Sequence, residues 1–542
     1  MFDISLLKKC PDDIIYQILD QNFLGVSDIY NFLFNRSTHY VAQQVLNKRS
    51  LIHLTIGSRK NYESVITSSH DYEITKGPYY WHIYYNYTNK DSFLSWYDRH
   101  KLINNYVIQI FLDQFQFDSL EFFQILKYKN IKIYLNYEND DNHTVRKFTH
   151  IIWPMIEDIF DFQLNSINLI LEYESSIDQD LSIDIANIKE FEFRHYTPTY
   201  RQVEFKLNQQ LNKLIINNIS MLPLTIKLSS LPSSSLLPIN LCSFFIKGPV
   251  ANLNYLGKIL QQCHNLQYLT ISKGYMKNFK DFIKIVSPLG LSRLKTLDLS
   301  YNDFGSIESI DLSIYFPNLI NFILKFEGLK SRKFHFTNII FPNSLKCLML
   351  QDKGIATFKD IQGLQYLKIL DLSYNYPLHF QIPHTVEHIQ LLNLSYNRTI
   401  LSSIYRFNRL DISRFIFFKV SELHLQGCNI CNEDLEELEL EYEDKPIPKS
   451  QVKFLDLSNN KLSNLRMFSG KLFMNMPLEF VDLSFNGFDY LNDHNFPLIK
   501  NNYPVLKKIN LTGNSRLRKI TGIDQYPQLE TAFTQFDRKG CI

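Results

Sequence analysis

Apolar residues recur with a fixed spacing along the second half of the chain. In the clearest copy Leu294, Leu297 and Leu299 are followed by Asn302. Five further copies keep both the apolar spacing and the asparagine, at Asn375, Asn397, Asn460, Asn486 and Asn514. A seventh copy has Cys428 in the asparagine position. Three weaker copies keep the apolar spacing but have neither asparagine nor cysteine at that position. Successive copies lie 22 to 32 residues apart, so the pattern predicts one repeated structural unit.

Each repeat predicts a short β-strand. Alternate residues of a strand point to the same face, so the second and third apolar residues share a core that the first reaches from the preceding turn. A single strand cannot bury that face, whereas parallel stacking of repeats makes a continuous core. Burial of one Leu, Ile or Val contributes on the order of 1.5–3 kcal/mol. The asparagine ends the strand, where its amide can bond backbone groups of the turn, and we interpret it as structural.

The segments between the predicted strands have room for a helix or a helical turn. The clearest helix has Asn432 as its N-cap, places Leu435 and Leu438 toward the core, and ends before Pro446. Toward the N-terminus the apolar spacing continues without the asparagine, in copies that begin at Leu51, Leu164, Ile188, Leu211 and Leu241. We interpret residues 51–250 as degenerate repeats and residues 251–542 as well-formed repeats with a C-terminal cap.

The repeated pattern resembles the leucine-rich repeat family, which has Leu-x-x-Leu-x-Leu followed by Asn or Cys. The resemblance implies an α/β fold. This is a leucine-rich-repeat solenoid with a curved parallel sheet on its concave face and helices and irregular segments on its convex face. Partners would bind the concave face through side chains between the inward positions, chiefly Asp298, Asp371, Asn393, His424, Asp456 and Asp482. The four aspartates could form an acidic stripe for a basic peptide, or they could be ordinary residues of the repeat.

The first fifty residues differ from the repeats and predict three short helices. One begins at Pro11 with acidic residues in its first turn, a second follows Ser27, and a third covers roughly residues 38–47. Three short helices bury too little apolar surface to fold robustly alone. We therefore expect this segment to dock on the first repeats or on a partner.

This N-terminal segment resembles an F-box. The family's Pro-x-Glu-Ile, Ile-Leu, Leu and Asp-Leu positions correspond to Pro11, Asp13, Ile14, Ile18, Leu19, Leu24, Asp28, Ile29 and Leu33. Two positions depart, because Cys10 stands where leucine is usual and the third helix lacks the family's tryptophan. An F-box binds the adaptor subunit of an SCF-type ubiquitin ligase. The resemblance implies adaptor contacts at some or all of Pro11, Ile14, Ile18, Leu19, Leu24 and Ile29, while others among them would hold the helices together.

Composition narrows the classes of partner and the location. A formal net charge of +2 in 542 residues predicts neither a nucleic acid nor an anionic membrane as partner. The N-terminus does not match a secretory signal, and no apolar stretch approaches the ~20 residues of a membrane span. Seven cysteines are too few to suggest a disulfide framework. We expect a cytoplasmic protein, with the nucleus as an alternative location.

The sequence carries no motif for catalysis or for a cofactor. It lacks the phosphate-binding G-x-x-x-x-G-K-S/T, the dinucleotide-binding G-x-G-x-x-G and the nucleophile motif G-x-S-x-G. Cys428 and Cys431 form a lone C-x-x-C without a second pair at metal-ligand spacing, and we interpret Cys428 as structural. We expect no enzyme activity, no metal and no cofactor.

Two hypotheses for the function follow from the sequence. The leading one is the substrate-recognition subunit of an SCF-type ubiquitin ligase. In it residues 1–50 bind the adaptor, and through it the cullin, while the repeats bind a protein substrate. The alternative is an intracellular leucine-rich-repeat scaffold or regulator, for example of a phosphatase or a small GTPase. In that case the N-terminal helices only cap the solenoid.

Overall fold

The computed structural model describes the following residues: 42–45, 50–56, 81–87, 90–111, 125–126, 129–137, 168–173, 181–185, 190–195, 202–207, 211–219, 222–230, 240–251, 256–257, 260, 263–286, 291–326, 334–352, 354–375, 379–383, 385–397, 417, 419–444, 446–447, 449–491, 503–517, 519–520 and 531–533. The chain divides into two compact units, Met1–Cys263 and His264–Ile542.

The first unit is a stack of parallel strands. Its elements are β1 (Ser50–Ile56), β2 (Trp81–Tyr87), helix α1 (Lys90–His100), β3 (Asn105–Phe111), β4 (Asn130–Tyr137), β5 (Asn168–Tyr173), β6 (Leu181–Ile185), β7 (Glu190–His195), β8 (Gln202–Leu207), β9 (Lys213–Asn218), β10 (Thr225–Ser230) and β11 (Ser243–Lys247). The main sheet has the order β2-β1-β3-β4-β5-β7-β9-β11, and a second sheet has the order β6-β8-β10.

A strand forms at each of the five N-terminal copies that lack the asparagine, in β1, β5, β7, β9 and β11. Leu211, Leu214 and Ile216 are fully buried, as the spacing predicts. Phe205 of β8 packs edge-on against Phe193 of β7, with 5.3 Å between the ring centroids. The two sheets of this unit therefore enclose an apolar core.

The second unit repeats the same plan. Its strands are β12 (Tyr268–Ser272), β13 (Thr296–Asp298), β14 (Ile307–Asp311), β15 (Asn321–Ile323), β16 (Phe334–Ile340), β17 (Cys347–Met349), β18 (Ile355–Gln362), β19 (Ile369–Asp371), β20 (His379–Phe380), β21 (Ile389–Asn393), β22 (Val420–His424), β23 (Phe454–Asp456), β24 (Phe480–Asp482), β25 (Tyr490–Leu491), β26 (Lys508–Asn510), β27 (Lys519–Ile520) and β28 (Thr531–Phe533). Its helices are α2 (Phe279–Val286), α3 (Asn432–Leu440), α4 (Lys471–Met474) and a 3-10 helix (Arg466–Ser469).

The main sheet of the second unit runs β12-β13-β15-β17-β19-β21-β22-β23-β24-β26-β28, and every pairing in it is parallel. The middle apolar residues of neighbouring repeats are register partners, as in Leu297 with Phe322 and Leu455 with Val481. Parallel stacking lets each repeat cover the apolar face of the next. The prediction of a parallel-stranded solenoid is confirmed for this unit.

The segments that connect the main-sheet strands differ from the prediction, because helices are few in the described part of the second unit. Several of these return segments are strands instead, and they form two further sheets, β14-β16-β18-β20 and β25-β27. Phe334-His-Phe-Thr-Asn-Ile-Ile340 shows why, since its β-branched and aromatic residues favour an extended chain. Phe336 and Phe358 stack in this second sheet, with 5.8 Å between ring centroids.

The predicted helix near residue 432 is present with its start shifted by one residue. Helix α3 begins at Asn432, so the N-cap is Cys431 and the prediction of Asn432 as N-cap was wrong. The backbone N–H of Cys431 donates to Asp434 Oδ2 at 3.0 Å, as in a capping box. Asn432 instead bonds the next repeat, donating through Nδ2 to Ser463 Oγ at 2.8 Å. Leu435 and Leu438 are fully buried, as predicted.

Candidate functional site

The main sheet of the second unit has one face turned toward the core and one turned away. In β13, β15, β19, β23 and β24 the central residue is buried, as are Leu297, Leu370 and Leu455, whereas the residue on each side of it is half-buried. Because side chains alternate along a strand, these flanking residues share the outward face. We name it the open face, and it corresponds to the predicted concave face.

The last residues of the strands form a row across the open face, which we name the acidic row. Five of the predicted residues lie in it as successive register partners: Asp371, Asn393, His424, Asp456 and Asp482. Asp298 belongs to the same row but stands apart, because Ile323 and Met349 lie between it and Asp371. All six predicted residues are half-buried on the open face.

The acidic row has a structural task that the sequence did not reveal. At the aspartate and asparagine positions of the row, one side-chain oxygen accepts the backbone N–H two residues later, as Asp371 Oδ1 does from Ser373 at 2.9 Å. The same bond is made by Asp298, Asn393, Asp456, Asp482 and Asn510. This contact is an Asx-turn, which asparagine makes as well as aspartate. The turn therefore does not require the negative charge.

Two aspartates of the acidic row, Asp456 and Asp482, also form a contact through their second carboxylate oxygen. His424 Nδ1 lies 3.3 Å from Asp456 Oδ2, and Asn510 Nδ2 donates to Asp482 Oδ2 at 3.0 Å. Burial alone would raise the pKa of Asp456, but hydrogen bonds from His424 and Ser458 outweigh it and hold the pKa below its ordinary value. The carboxylates of Asp456 and Asp482 thus have both oxygens bonded within the chain.

Aromatic side chains form a continuous patch beside these acids. The ring of His424 lies 4.9 Å from that of Phe454, and the ring of Phe454 lies 4.8 Å from that of Phe480. Phe454 and Phe480 are half-buried at the first positions of β23 and β24. We name His424, Phe454 and Phe480 the aromatic patch. Large aromatic side chains with one accessible side are typical anchors of protein interfaces.

Sequence reasoning missed the two phenylalanines of the aromatic patch. It considered only the residue between the second and third apolar positions of each repeat. The residue directly before the middle apolar position lies on the same face, because a strand alternates with a period of two. That rule would have identified Phe454 and Phe480 from the sequence.

A row of charged residues lies directly before the strands, on the opposite side of the open face from the acidic row. We name it the lysine row, and it comprises Lys295, Lys346, Lys368, Lys453, Glu479 and Lys507. Glu479 accepts one bond from Lys453 and one from Lys507, each 3.1 Å long. These two lysines hold the pKa of Glu479 below its ordinary value. Lys295, Lys346 and Lys368 are exposed, and no described residue forms an ion pair with them.

The repeated asparagines hold neighbouring repeats together. Nδ2 of Asn375 donates to the carbonyl of Leu350 in the preceding repeat at 2.7 Å and to that of Leu372 in its own repeat at 2.9 Å. Its Oδ1 accepts the backbone N–H of Ile355 at 2.9 Å. The same pair of donated bonds recurs at Asn302, Asn397, Asn460, Asn486 and Asn514. The predicted structural role of the asparagine is confirmed, and the open face rests on a hydrogen-bonded scaffold.

Comparison with known protein families agrees with this geometry. One family model, described as Leucine Rich repeat, matches residues 292–307, which contain the clearest copy of the spacing. Together with the parallel-stranded sheet, this match supports a leucine-rich-repeat protein. No F-box family model matches, and no curated protein matches the chain.

The C-x-x-C formed by Cys428 and Cys431 is part of the hydrogen-bonded scaffold of the repeats. Cys428 occupies the asparagine position, and its thiol donates to the carbonyl of Leu394 in the preceding repeat at 3.2 Å. Burial raises the pKa of Cys428 to about 12, and burial with a hydrogen bond to Glu433 raises that of Cys431 to about 11. Neither thiol therefore ionises at neutral pH. Within the described ranges no cluster of His, Cys, Asp or Glu could hold a metal ion.

The predicted adaptor-binding residues lie outside the described residues: Pro11, Ile14, Ile18, Leu19, Leu24 and Ile29. Their role stays a prediction from the sequence. Among the helices that the structure describes, none combines the length and the apolar character needed to cross a membrane.

Proposed function

We propose that this leucine-rich-repeat protein is the non-catalytic substrate-recognition subunit of an SCF-type ubiquitin ligase. The open face of the second unit binds a protein substrate. Residues 1–50 bind the adaptor and, through it, the cullin. The complex works in the cytoplasm or the nucleus, and the chain needs no cofactor for this role.

The aromatic patch is the observation that supports substrate binding most directly. His424, Phe454 and Phe480 form a contiguous, half-buried surface of rings, bordered by the acidic row on one side and the lysine row on the other. An apolar centre with a polar rim is the usual composition of a protein interface. Hydrogen bonds of the repeated asparagines join each repeat to the next beneath this surface. The binding face is therefore already ordered, and little conformational entropy is lost when a partner binds.

Substrate binding can be tested by replacing the two phenylalanines. Full-length protein and the variant Phe454→Ala/Phe480→Ala are expressed in the native cell with a proteasome inhibitor, and captured partners are quantified by mass spectrometry. We expect recovery of a specific partner to fall by at least about tenfold, because each lost anchor costs on the order of 1–2 kcal/mol and about 1.4 kcal/mol corresponds to a tenfold change in affinity. Tyr275→Ala, which removes a ring exposed elsewhere on the second unit, is the matched control. Equal capture by all three proteins contradicts the proposal.

Adaptor binding is tested separately in the same captures. The F-box resemblance predicts that Ile18→Asp/Leu19→Asp abolishes recovery of the adaptor and cullin, because charge is placed at apolar contact positions. The conservative variant Ile18→Val/Leu19→Met should keep them. Absence of the adaptor from the wild-type capture, or its equal recovery with the aspartate variant, rules out the ligase role.

A second candidate, a leucine-rich-repeat scaffold or regulator, is favoured by one observation. The family comparison matches a leucine-rich repeat but no F-box. If residues 1–50 only cap the repeats, their deletion exposes apolar surface, so it should lower the melting temperature and cause aggregation. A ligase subunit instead loses the adaptor while its substrate capture continues.

A further inference from the structure

Lys346 and Lys368 stand side by side at the edge of the open face, directly before two neighbouring strands. The strands that follow them, β17 and β19, are register neighbours, and the backbone N–H of Lys368 donates to the carbonyl of Lys346 at 2.8 Å. Neighbouring strands lie about 4.8 Å apart. Both side chains are exposed, so two like charges lie close together at this position. Such a pair is mildly unfavourable unless a negative group lies near it.

The same row shows how this chain neutralises such a pair elsewhere. Lys453 and Lys507 precede β23 and β26, and Glu479 precedes β24 between them. Its two carboxylate oxygens accept one hydrogen bond from each lysine at 3.1 Å. A carboxylate between two lysines of the row therefore fits the geometry. No described residue supplies such a carboxylate to Lys346 or Lys368.

The acidic row does not fill this role. Asp371 is the nearest acid along the chain from Lys368, but it lies three residues further, which is about 10 Å in an extended strand. Its Oδ1 also accepts bonds from the backbone N–H and the hydroxyl of Ser373, at 2.9 and 2.7 Å. The carboxylate is thus held on the opposite side of the open face.

Lys295 extends the basic surface along the same row. It precedes β13, two strands before β17, and is also exposed without an ion pair to a described residue. Ile320, which precedes the strand between them, carries no charge. The side of the open face before β13, β15, β17 and β19 is therefore basic over three strand spacings, or about 14 Å.

We infer that Lys295, Lys346 and Lys368 bind an acidic segment of a partner protein, whose carboxylates occupy the position that Glu479 occupies between Lys453 and Lys507. The inference rests on the proposed function, because it specifies the chemistry of the protein bound on the open face. The charge of this segment is opposite to that of the basic peptide, which was one of the two interpretations of the aspartates in the sequence. A segment of about five extended residues spans the three strand spacings.

The test uses full-length protein and two labelled peptides of about ten residues. One alternates Glu with Leu and Ser, and the other has Lys in place of every Glu. Fluorescence anisotropy at low salt should show the Glu peptide binding at least about tenfold more tightly, and added salt should weaken it because screening acts on exposed charges. Lys346→Glu/Lys368→Glu should lose this binding and favour the Lys peptide. Lys277→Glu/Lys280→Glu, an equal charge change at exposed positions near and in α2, should bind like wild type.

Several outcomes would overturn the inference. These are tighter binding of the Lys peptide to the wild-type protein, an equal loss in both charge-reversal variants, or no loss in either. Equal melting temperatures for the variants and wild type confirm that the fold is kept. The capture experiment with Phe454→Ala/Phe480→Ala tests the proposed function independently of the peptide measurements. If that variant loses its partner while the peptides show no preference, the open face binds a protein but the lysine row does not select acidic segments.

Discussion

At the scale of single residues, the asparagine position is the most demanding in the repeat. Asn375 is almost fully buried and makes bonds to Leu350, Leu372 and Ile355. Asn375→Ala removes the side-chain partner of the Leu350 carbonyl and the Ile355 N–H, whereas the Leu372 carbonyl still accepts from Asn397 Nδ2. Each buried group left unpaired costs about 1–3 kcal/mol. We expect chemical denaturation to show a loss of about 2–4 kcal/mol for this variant.

A second substitution at this position provides the control. In another repeat the chain has Cys428 at the equivalent position, and its thiol donates a hydrogen bond to the carbonyl of Leu394. Asn375→Cys should therefore lose less stability than Asn375→Ala, because one donor remains. If the two variants are equally destabilised, the hydrogen bonds are not the reason for the asparagine.

Glu439 is a residue whose charge opposes folding. Its carboxylate lies between α3 and α4 and accepts the backbone N–H of Leu472 at 2.9 and 3.2 Å. Burial raises its pKa, and the bonds from Leu472 and Lys471 only partly compensate. A carboxyl with a raised folded-state pKa stabilises the fold most below its unfolded pKa of about 4.3, and this stability is lost as the pH rises through the folded pKa.

Glu439→Gln should remove this pH dependence, because the amide oxygen still accepts from Leu472 without carrying a charge. The melting temperature of the variant relative to wild type should rise as the pH increases above about 4.3, and level off above the folded pKa. Thermal unfolding at a series of pH values measures this difference. A difference that is constant with pH, or largest at the lowest pH, contradicts it.

At the scale of elements, close contact between two backbone segments limits which residue can follow strand β18 of the second sheet. Gly363 follows β18 with φ at +82°, and a Cβ added there would lie 1.8 Å from the backbone oxygen of Phe341. An L-residue also pays roughly 1–2 kcal/mol for the left-handed conformation. We expect Gly363→Ala to destabilise the protein by more than about 2 kcal/mol in chemical denaturation.

Gly305 is the matched control for Gly363. A Cβ added at Gly305 meets nothing within 4 Å, and its φ is not positive. Gly305→Ala should therefore leave stability unchanged or slightly raised, since it restricts the unfolded chain. Equal losses in the two variants would show that close approach does not control this turn.

The turn after each main-sheet strand shows what the sequence could not predict. Its central residue is left-handed in many repeats, including Gly427 and Gly513 but also Tyr374 and Tyr396. Tyrosine rarely adopts this conformation, so no local rule assigns it there. In the structure the rings of Tyr374 and Tyr396 stack with 4.3 Å between centroids, which helps to offset the strain. A contact between repeats thus explains a residue choice that one repeat alone does not.

The inward positions of the repeat were predictable because periodicity encodes them directly. Leu297, Leu370 and Leu455 recur at the motif spacing and are fully buried. The return strands were not predicted, because a segment of that length accommodates a helix or a strand, and packing against the next return decides between them. Glu479 pairs with Lys453 and Lys507, and these residues belong to three different repeats. The pairing could not be predicted without knowing the register between their strands.

At the scale of the second unit, main-sheet contacts run between neighbours in the stack. Each main-sheet strand pairs only with the strands beside it, and each asparagine bonds its own repeat and the one before. Stability in such an array is close to a sum of repeat and interface contributions. A binding face built this way can change its side chains repeat by repeat, as the acidic and lysine rows do, without altering the core.

This nearest-neighbour architecture predicts that a core cavity acts locally. Leu392 is fully buried in β21, with Leu370 and Leu423 as its register partners. Leu392→Ala should cost about 2–5 kcal/mol. Hydrogen exchange monitored by mass spectrometry should show faster exchange in β19, β21 and β22, and unchanged exchange in β7 and β9, which belong to the first unit. Ile314→Ala, at an exposed position of the second unit, should change neither. A uniform acceleration from β7 to β26 after Leu392→Ala would mean instead that the whole chain unfolds as one cooperative body.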